Sequence, residues 1–428
     1  MTRRMRLVAY LKTGPTANHG GGWRHPASRL DDIFRPERYE DVARLLEDAR
    51  FDAAFFADAF GLPDIHRGGY DTYLRLGGQI SYLDPMTVLP FMMRATRHLG
   101  LGATLSTTFF HPYHLARTLA SMDILSEGRM AWNVVTSATD FEARNFGGDA
   151  IPPRAERYDR GDEVLEACRA LWEGWDADAF VMDREAGVFI DPAKVRYADY
   201  KGRYVSTRGP LSIPRSPQTG PVLMQAGSSD RGREFATRWA ELIFITPAYK
   251  EDAAAYAADI RARLATAGRD PTLCPVLPAC ATVVAETREI AREKADYLNA
   301  LIDPDLALAA NSNTIGVDLT QPLPPDGPVR QGIQGSWDRV AVRAEREGIT
   351  FVEAAKRPRN LMVGTPNDVA DQMEDWFKSG ACDGFVLWPT HSPGMFEDFA
   401  RMVVPVLQKR GLMQTEYREG TLREKLRG

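Results

Sequence analysis

The chain predicts a (β/α)8 barrel with inserted segments, and three observations predict it. Eight apolar runs rich in Val, Ile, Leu, Phe and Ala recur along the 428 residues, at 6–11, 51–58, 99–108, 130–137, 221–229, 242–247, 277–285 and 384–389. The runs are continuous rather than alternating, which is the pattern of parallel strands covered on both faces. Segments of helical period separate them, and the runs close on small polar residues, as strands do when they deliver side chains to a barrel mouth.

The helical segments fall at 39–48, 115–125, 158–171, 231–239, 251–265, 288–301 and 366–377. The last opens with Gly364-Thr365-Pro366, a threonine cap followed by proline at the first helical position. Strand and helix alternation with eight strands favours the closed barrel over a doubly wound open sheet. Three stretches exceed the bare barrel, at about 62–85, 172–220 and 303–362, and the chain reads as one barrel domain over 1–428 carrying them as insertions. Barrel enzymes build their sites from the loops after the strands, so insertions at that C-terminal face shape or cover a pocket, pack on the barrel or form a subunit interface. The 303–362 segment is the lid candidate.

Composition bounds the function. The chain is 44% hydrophobic and 26% charged, enough apolar residue for a large core. Lys plus Arg total 53 against 58 Asp plus Glu, a net charge of −5, so there is no basic footprint for nucleic acid, and any phosphate needs a local site. Cys168, Cys274, Cys280 and Cys382 show no paired or metal-ligand spacing and read as reduced core thiols. The basic start is followed by an apolar stretch shorter than a signal-peptide core, and no run approaches the ~20 residues of a membrane helix. A cytoplasmic protein is the expectation.

The strand ends carry the chemistry. They offer Phe55-Phe56-Ala57-Asp58, Thr104 through Thr108, Trp132-Asn133-Val134-Val135-Thr136-Ser137, Gln225-Ala226-Gly227-Ser228-Ser229 and Trp388-Pro389-Thr390-His391. These are neutral donors and aromatics. The paired carboxylates of glycoside hydrolysis are missing, as is a His-x-His at the end of the first strand, so hydrolysis is disfavoured and no metal site is expected. His111 and His114 are three apart, but no third ligand stands near them, and His111 is the better pocket candidate. His19 and His25 flank Trp23 after the first strand; either can donate to an anion or serve as a structural hydrogen-bond partner, the latter favoured for His25.

Gly227 through Arg233 runs from a strand into a helix and presents backbone amides, two hydroxyls and two guanidinium groups at a helix N-terminus. That combination suits a phosphate, although Gly and Ser there also serve turn geometry and capping. Arg154 and Tyr158, ahead of another helix, add a cation and a phenol. A phosphate cradle with hydroxyls, an amide and aromatics suits flavin mononucleotide (FMN) better than a sugar or a metal substrate.

Ordered blocks then carry a resemblance along nearly the whole chain: Gly22-Trp23-Arg24-His25-Pro26, Phe55-Phe56-Ala57-Asp58, His111-Pro112-Tyr113, Gly128 through Ser137, Asn145-Phe146-Gly147, Glu156-Arg157-Tyr158-Asp159, Gln225-Ala226-Gly227, Arg231 through Ala236 and Val404-Pro405-Val406-Leu407-Gln408. The chain resembles the bacterial luciferase-like flavin-dependent monooxygenases, in the subgroup of the nitrilotriacetate, dibenzothiophene sulfone and long-chain alkane enzymes. The resemblance implies a barrel that binds reduced FMN from a separate NAD(P)H-dependent flavin reductase and uses O2 on a small organic substrate. It places flavin contacts on Asp58, Thr104, Arg154, Tyr158 and Ser229. The strand ends alone add Asn133, Ser137 and Ser228. His111 and Asn133 are then the catalytic donors beside the ring, and His19, Phe56, Trp132 and Trp388 the walls of the substrate space, each aromatic being equally at home in a core.

Gly14 and Ala138 stand near the places where the alkane enzyme carries a cysteine and a histidine, which argues against alkane hydroxylation. A histidine of the sulfone enzyme's late insertion is replaced near Thr314. The reaction class expected is therefore hydroxylation, or cleavage at a C–S or C–N bond. The resemblance also implies homodimers or homotetramers. Two rivals are a deazaflavin-dependent oxidoreductase on the same barrel, which transfers hydride without oxygen, and a non-catalytic flavin-binding protein.

Overall fold

The computed structural model describes residues 3–15, 18–324, 330–359 and 361–428. Eight parallel strands close on themselves: β1 Arg6–Leu11, β2 Ala53–Phe56, β3 Gly100–Ser106, β4 Met130–Val135, β5 Val222–Gln225, β6 Leu242–Ile245, β7 Val276–Val284 and β8 Gly384–Leu387. Each pairs with the next, and β8 returns to β1 with Arg6 opposite Gly384. The fold is a (β/α)8 barrel. Every strand core lies inside or within one residue of its predicted run.

Both strand faces are apolar because both are buried, in different places. Val8, Ala53, Phe55, Ala131, Met224, Phe244, Leu277 and Val386 fill the barrel interior, where Leu422 and Leu426 of the C-terminal helix join them. Leu7, Ala9, Ala54, Phe56, Leu101, Ala103, Trp132 and Val134 pack outward in the helix layer. On β3 the interior is opened by glycine. A Cβ on Gly102 would lie 2.9 Å from the Cβ of Phe55, and one on Gly100 would lie 2.6 Å from a methyl of Leu422. Below the strands, buried Arg129 donates to Ser126 O (2.8 Å), Leu99 O (3.1 Å) and Met93 O (3.0 Å), using its fork to satisfy loop and helix-end carbonyls.

The insertions do not all reach the mouth. Residues 57–84 follow β2 and stand at the C-terminal end. The 172–220 stretch instead follows helix Arg154–Trp172 and so lies at the opposite end, where Gln218 donates to Met130 O at the start of β4 (2.9 Å). It forms two small hairpins, one tied to that helix by Tyr200 Oη donating to Glu166 (2.7 Å), and this corrects its placement at the C-terminal face. The third insertion is larger than expected. Helix Pro366–Lys378 returns the chain to β8, so the described residues between Arg288 and Gly364 stand above β7. That includes helix Arg288–Ala300, which packs Ala295 and Leu298 on Val283 rather than completing the barrel wall. Helices Pro304–Ile315, Gln334–Glu347 and Phe351–Lys356 form the rest with their own small core, and a short strand, Leu361–Gly364, pairs with the upper end of β7. Among the described residues no helix is long and apolar enough to cross a membrane.

Candidate functional site

At the barrel mouth the interior turns from apolar to polar within one residue pair. Thr104 Oγ1 donates to Phe56 O (2.8 Å) and accepts from Asn133 Nδ2 (2.8 Å). Asn133 is buried, and its Oδ1 has no hydrogen-bond partner among the described residues. A buried carbonyl left unmatched costs about 1–3 kcal/mol, so this atom is reserved for something the apoprotein does not supply.

Around this pair stands a charged ring. Burial raises the pKa of Asp58, partly offset by the Ser81 hydroxyl and by Lys12. Burial lowers that of Lys12, against the pull of Asp58 and Glu142. Lys12, directly after β1, was overlooked in the sequence, although a lysine closing an apolar strand is itself a signal. Ser137 donates to Glu142 (3.1 Å) and shares a hydrogen bond with Ser106 Oγ (3.0 Å), and its carbonyl accepts from Arg157. It sits at φ 52°, inside the capping network of helix Asp140–Asn145.

The expected phosphate cradle is built from two helix N-termini. Ser229 caps helix Asp230–Trp239 by accepting from Gly232 N (3.2 Å), and Tyr158 shares a hydrogen bond with Ser229. Helix Gln334–Glu347 starts without a side-chain cap, and its Gly335 lies so close that an added Cβ would fall 1.8 Å from Ser228 Oγ. Uncapped N–H groups and two positive dipole ends therefore meet at Ser228 and Ser229. One element differs from expectation. Arg231 is held by Asp162 (2.6 Å) and Asp159 (3.1 Å), and Arg233 by Asp259 (2.8 Å), so the two guanidinium groups tie helices together. Arg154 is the better available cation, with only long contacts to Gln334 of 3.4 and 3.5 Å.

A cavity of about 320 Å³ opens beside this mouth, between the ends of β6, β7 and β8 and the third insertion, and Trp388 lines it. Phe56 and Trp132 do not, which corrects their assignment to the substrate wall. Phe56 meets Tyr39 edge-on in the helix layer (6.1 Å), and Trp132 donates Nε1 to Leu105 O (3.0 Å) while fully buried. Both are strand residues of outward parity. Phe56→Leu and Trp132→Phe are expected to lower stability by about 1–2 kcal/mol in chemical denaturation and to leave substrate KM unchanged.

The histidines separate by burial. His111 is exposed, caps helix Pro112–Leu125 by accepting from Tyr113 N (3.2 Å) and does not line the cavity, so the structure gives it a capping role in place of the catalytic one expected. His19 is buried beside the cavity-lining Asn18 and Gly20, with Nδ1 accepting from Gly21 N (3.3 Å) and Nε2 without a partner among the described residues. His25 stacks on His391 at 3.9 Å. Burial, with neighbouring His25 adding to it, pushes His19 down from 6.5 to about 4 and His391 to about 3. The fold thus prefers both imidazoles neutral. Their contribution to stability is whole above about pH 6.5 and is lost as pH falls toward 4, because only the unfolded chain takes up the protons. Melting temperature should drop across that window, with a shallower slope in His391→Gln; an identical slope contradicts the assignment.

All four cysteines are free and buried. Among the described residues no group of three or more His, Cys, Asp or Glu side chains is placed to hold a metal ion.

Comparison with known proteins agrees with this fold. Residues 15–383 match the family model described as luciferase-like monooxygenase. The chain is 40% identical to the dibenzothiophene-sulfone monooxygenase of Rhodococcus erythropolis (strain XP), over 99% of this chain and 96% of that one. It is 36% identical to component A of the nitrilotriacetate monooxygenase of Aminobacter aminovorans, over 95% of this chain and 93% of that one. Among solved structures, a riboflavin lyase with modified FMN and riboflavin superposes with a TM-score of 0.91 at 32% identity, covering 99% of this chain and 96% of that one.

Proposed function

We propose, from the premise that this chain belongs to the luciferase-like monooxygenase family and is a flavin-dependent monooxygenase, that it is the oxygenating half of a two-component system. In this reading it takes reduced FMN from a separate NAD(P)H-dependent flavin reductase and oxidises a small organic substrate at a C–S, C–N or C–H position. The observation that carries the reading is the buried Asn133 Oδ1 at the barrel mouth, without a partner among the described residues, together with the double N-terminus at Ser228 and Ser229. The FMN in the riboflavin lyase structure and the designation of the nitrilotriacetate enzyme as a component A support the choice of flavin and the separate reductase.

Reduced FMN, when bound, supplies the electrons that activate O2. The residues divide the remaining work. Ser228, Ser229, Arg154 and the two helix ends hold a phosphate; Tyr158 braces the cradle from below. Thr104 orients the Asn133 amide, whose free oxygen would accept a hydrogen bond from the bound flavin. Asp58 and Lys12 influence each other's ionisation at the rim. The helices over the mouth would exclude water and so disfavour the unproductive reduction of O2 to free hydrogen peroxide.

Reconstitution with a flavin reductase, NADH and FMN under 18O2, over a panel of thioethers, sulfones and amines, tests the proposal. One labelled oxygen in a product supports it. Hydrogen peroxide alone across the panel, or product lacking the label, contradicts it.

A further inference from the structure

The cavity beside the mouth has a charge that neither the flavin nor the overall composition explains. Its lining includes Arg339, Arg343, Lys356, Arg357 and Arg359, and no Asp or Glu. The chain as a whole carries −5. Five cations on one wall therefore oppose the average charge of the protein, and in a concave, partly desolvated space their field is focused.

Arg343 and Arg357 share Glu347 (3.3 and 3.9 Å), whereas Arg339 and Arg359 are not consumed by structural pairs in the way Arg231 and Arg233 are. Arg339 is half-buried and donates to the neutral Thr246 hydroxyl (3.0 Å), and among the described residues it has no acid partner. Arg359, also half-buried, has none either, and it stands close enough to Tyr10 inside the barrel mouth for the two to influence each other's ionisation. Arg343 bridges them, donating to Pro358 O (2.9 Å) and pairing with Glu347 (3.3 Å) at the end of its own helix. Burial and the mutual repulsion of these guanidiniums push Arg339 and Arg359 down from the usual range. An anion between them relieves that repulsion. Trp388, Trp376, Met362 and Ala279 supply apolar lining to the same cavity. None of Arg154, Tyr158, Ser228 and Ser229 lines the cavity, so this cationic wall is separate from the phosphate cradle.

We propose that the cavity selects a small organic carboxylate, held through its acid group by Arg339 and Arg359 with its apolar, reacting portion on Trp388. Bidentate guanidinium contacts fit a carboxylate, and the volume fits a compact ligand. Calling the ligand a substrate rests on the oxygenase reading; its binding as an anion does not.

The test uses the full-length protein and two probes, thiodiacetate and phenylthioacetate, with the uncharged thiodiacetamide as comparison, by calorimetric titration with and without reduced FMN. At least one acid should bind, about tenfold or more tighter than the amide, and its affinity should fall as salt rises. Arg339→Gln with Arg359→Gln should weaken it about tenfold or more, while Arg339→Lys with Arg359→Lys, which keeps the charge, should recover part of the loss and controls for folding. Amide binding as tight as the acids, no binding of either acid, or undiminished affinity in the folded double glutamine variant overturns the proposal. Reduced FMN is titrated separately. If flavin fails to bind while the acids still do, the oxygenase reading falls and the anion site stands.

Discussion

Asn133→Leu is expected to weaken reduced-FMN binding by about ten- to a hundredfold while leaving the protein as stable as before, or more so. The two effects separate because Asn133 Oδ1 has no partner among the described residues, so the fold gains nothing from it. Replacing it with leucine removes a desolvation cost of about 1–3 kcal/mol. What is lost is one bond, from Nδ2 to Thr104 Oγ1 (2.8 Å), and Thr104 keeps its own bond to Phe56 O. A residue that merely packs would show the reverse, lower stability with unchanged affinity. Chemical denaturation and anaerobic flavin titration on one preparation distinguish the two.

Gly232→Val should damage the phosphate end more selectively. A Cβ at Gly232 would lie 2.9 Å from Tyr158 Oη, 3.0 Å from Gly227 Cα and 3.1 Å from Ser229 Oγ, and valine adds two methyls to a space already closed. Strand-end loop and helix must part, at a cost of about 1–3 kcal/mol. The amides and hydroxyls that converge on a phosphate then diverge. FMN affinity should fall about tenfold or more and riboflavin affinity far less, so the preference for the phosphorylated flavin shrinks. Equal losses for both flavins would place the phosphate elsewhere.

The barrel was legible in the sequence because a strand buried on both faces writes itself as an unbroken apolar run. The same property hid the direction of each side chain. Phe55 and Phe56, or Trp132 and Asn133, stand side by side in runs whose two faces look alike, and only closure of the barrel shows which residue of each pair points inward. Polar residues were the better guide: Asn133 stands out at its strand end and Thr104 through the family resemblance, and the structure joins them by a hydrogen bond. Charges were harder. Arg231 and Arg233 read as free cations because Asp159, Asp162 and Asp259 lie 26 to 72 residues away in the chain. The cationic wall of 339–359 escaped notice because the third insertion has no strand pattern to align it with the mouth. Helix Arg288–Ala300 read as a barrel helix because periodicity records an apolar face and not what covers it.

The measurement that bears most directly on the central claim is anaerobic titration of the full-length protein with reduced FMN and, in parallel, with a reduced deazaflavin, followed by mixing each complex with oxygenated buffer. The account predicts saturable binding of reduced FMN, markedly tighter than of the deazaflavin, and rapid O2 consumption by the bound flavin. Preference for the deazaflavin, or reduced FMN that does not bind, would contradict it.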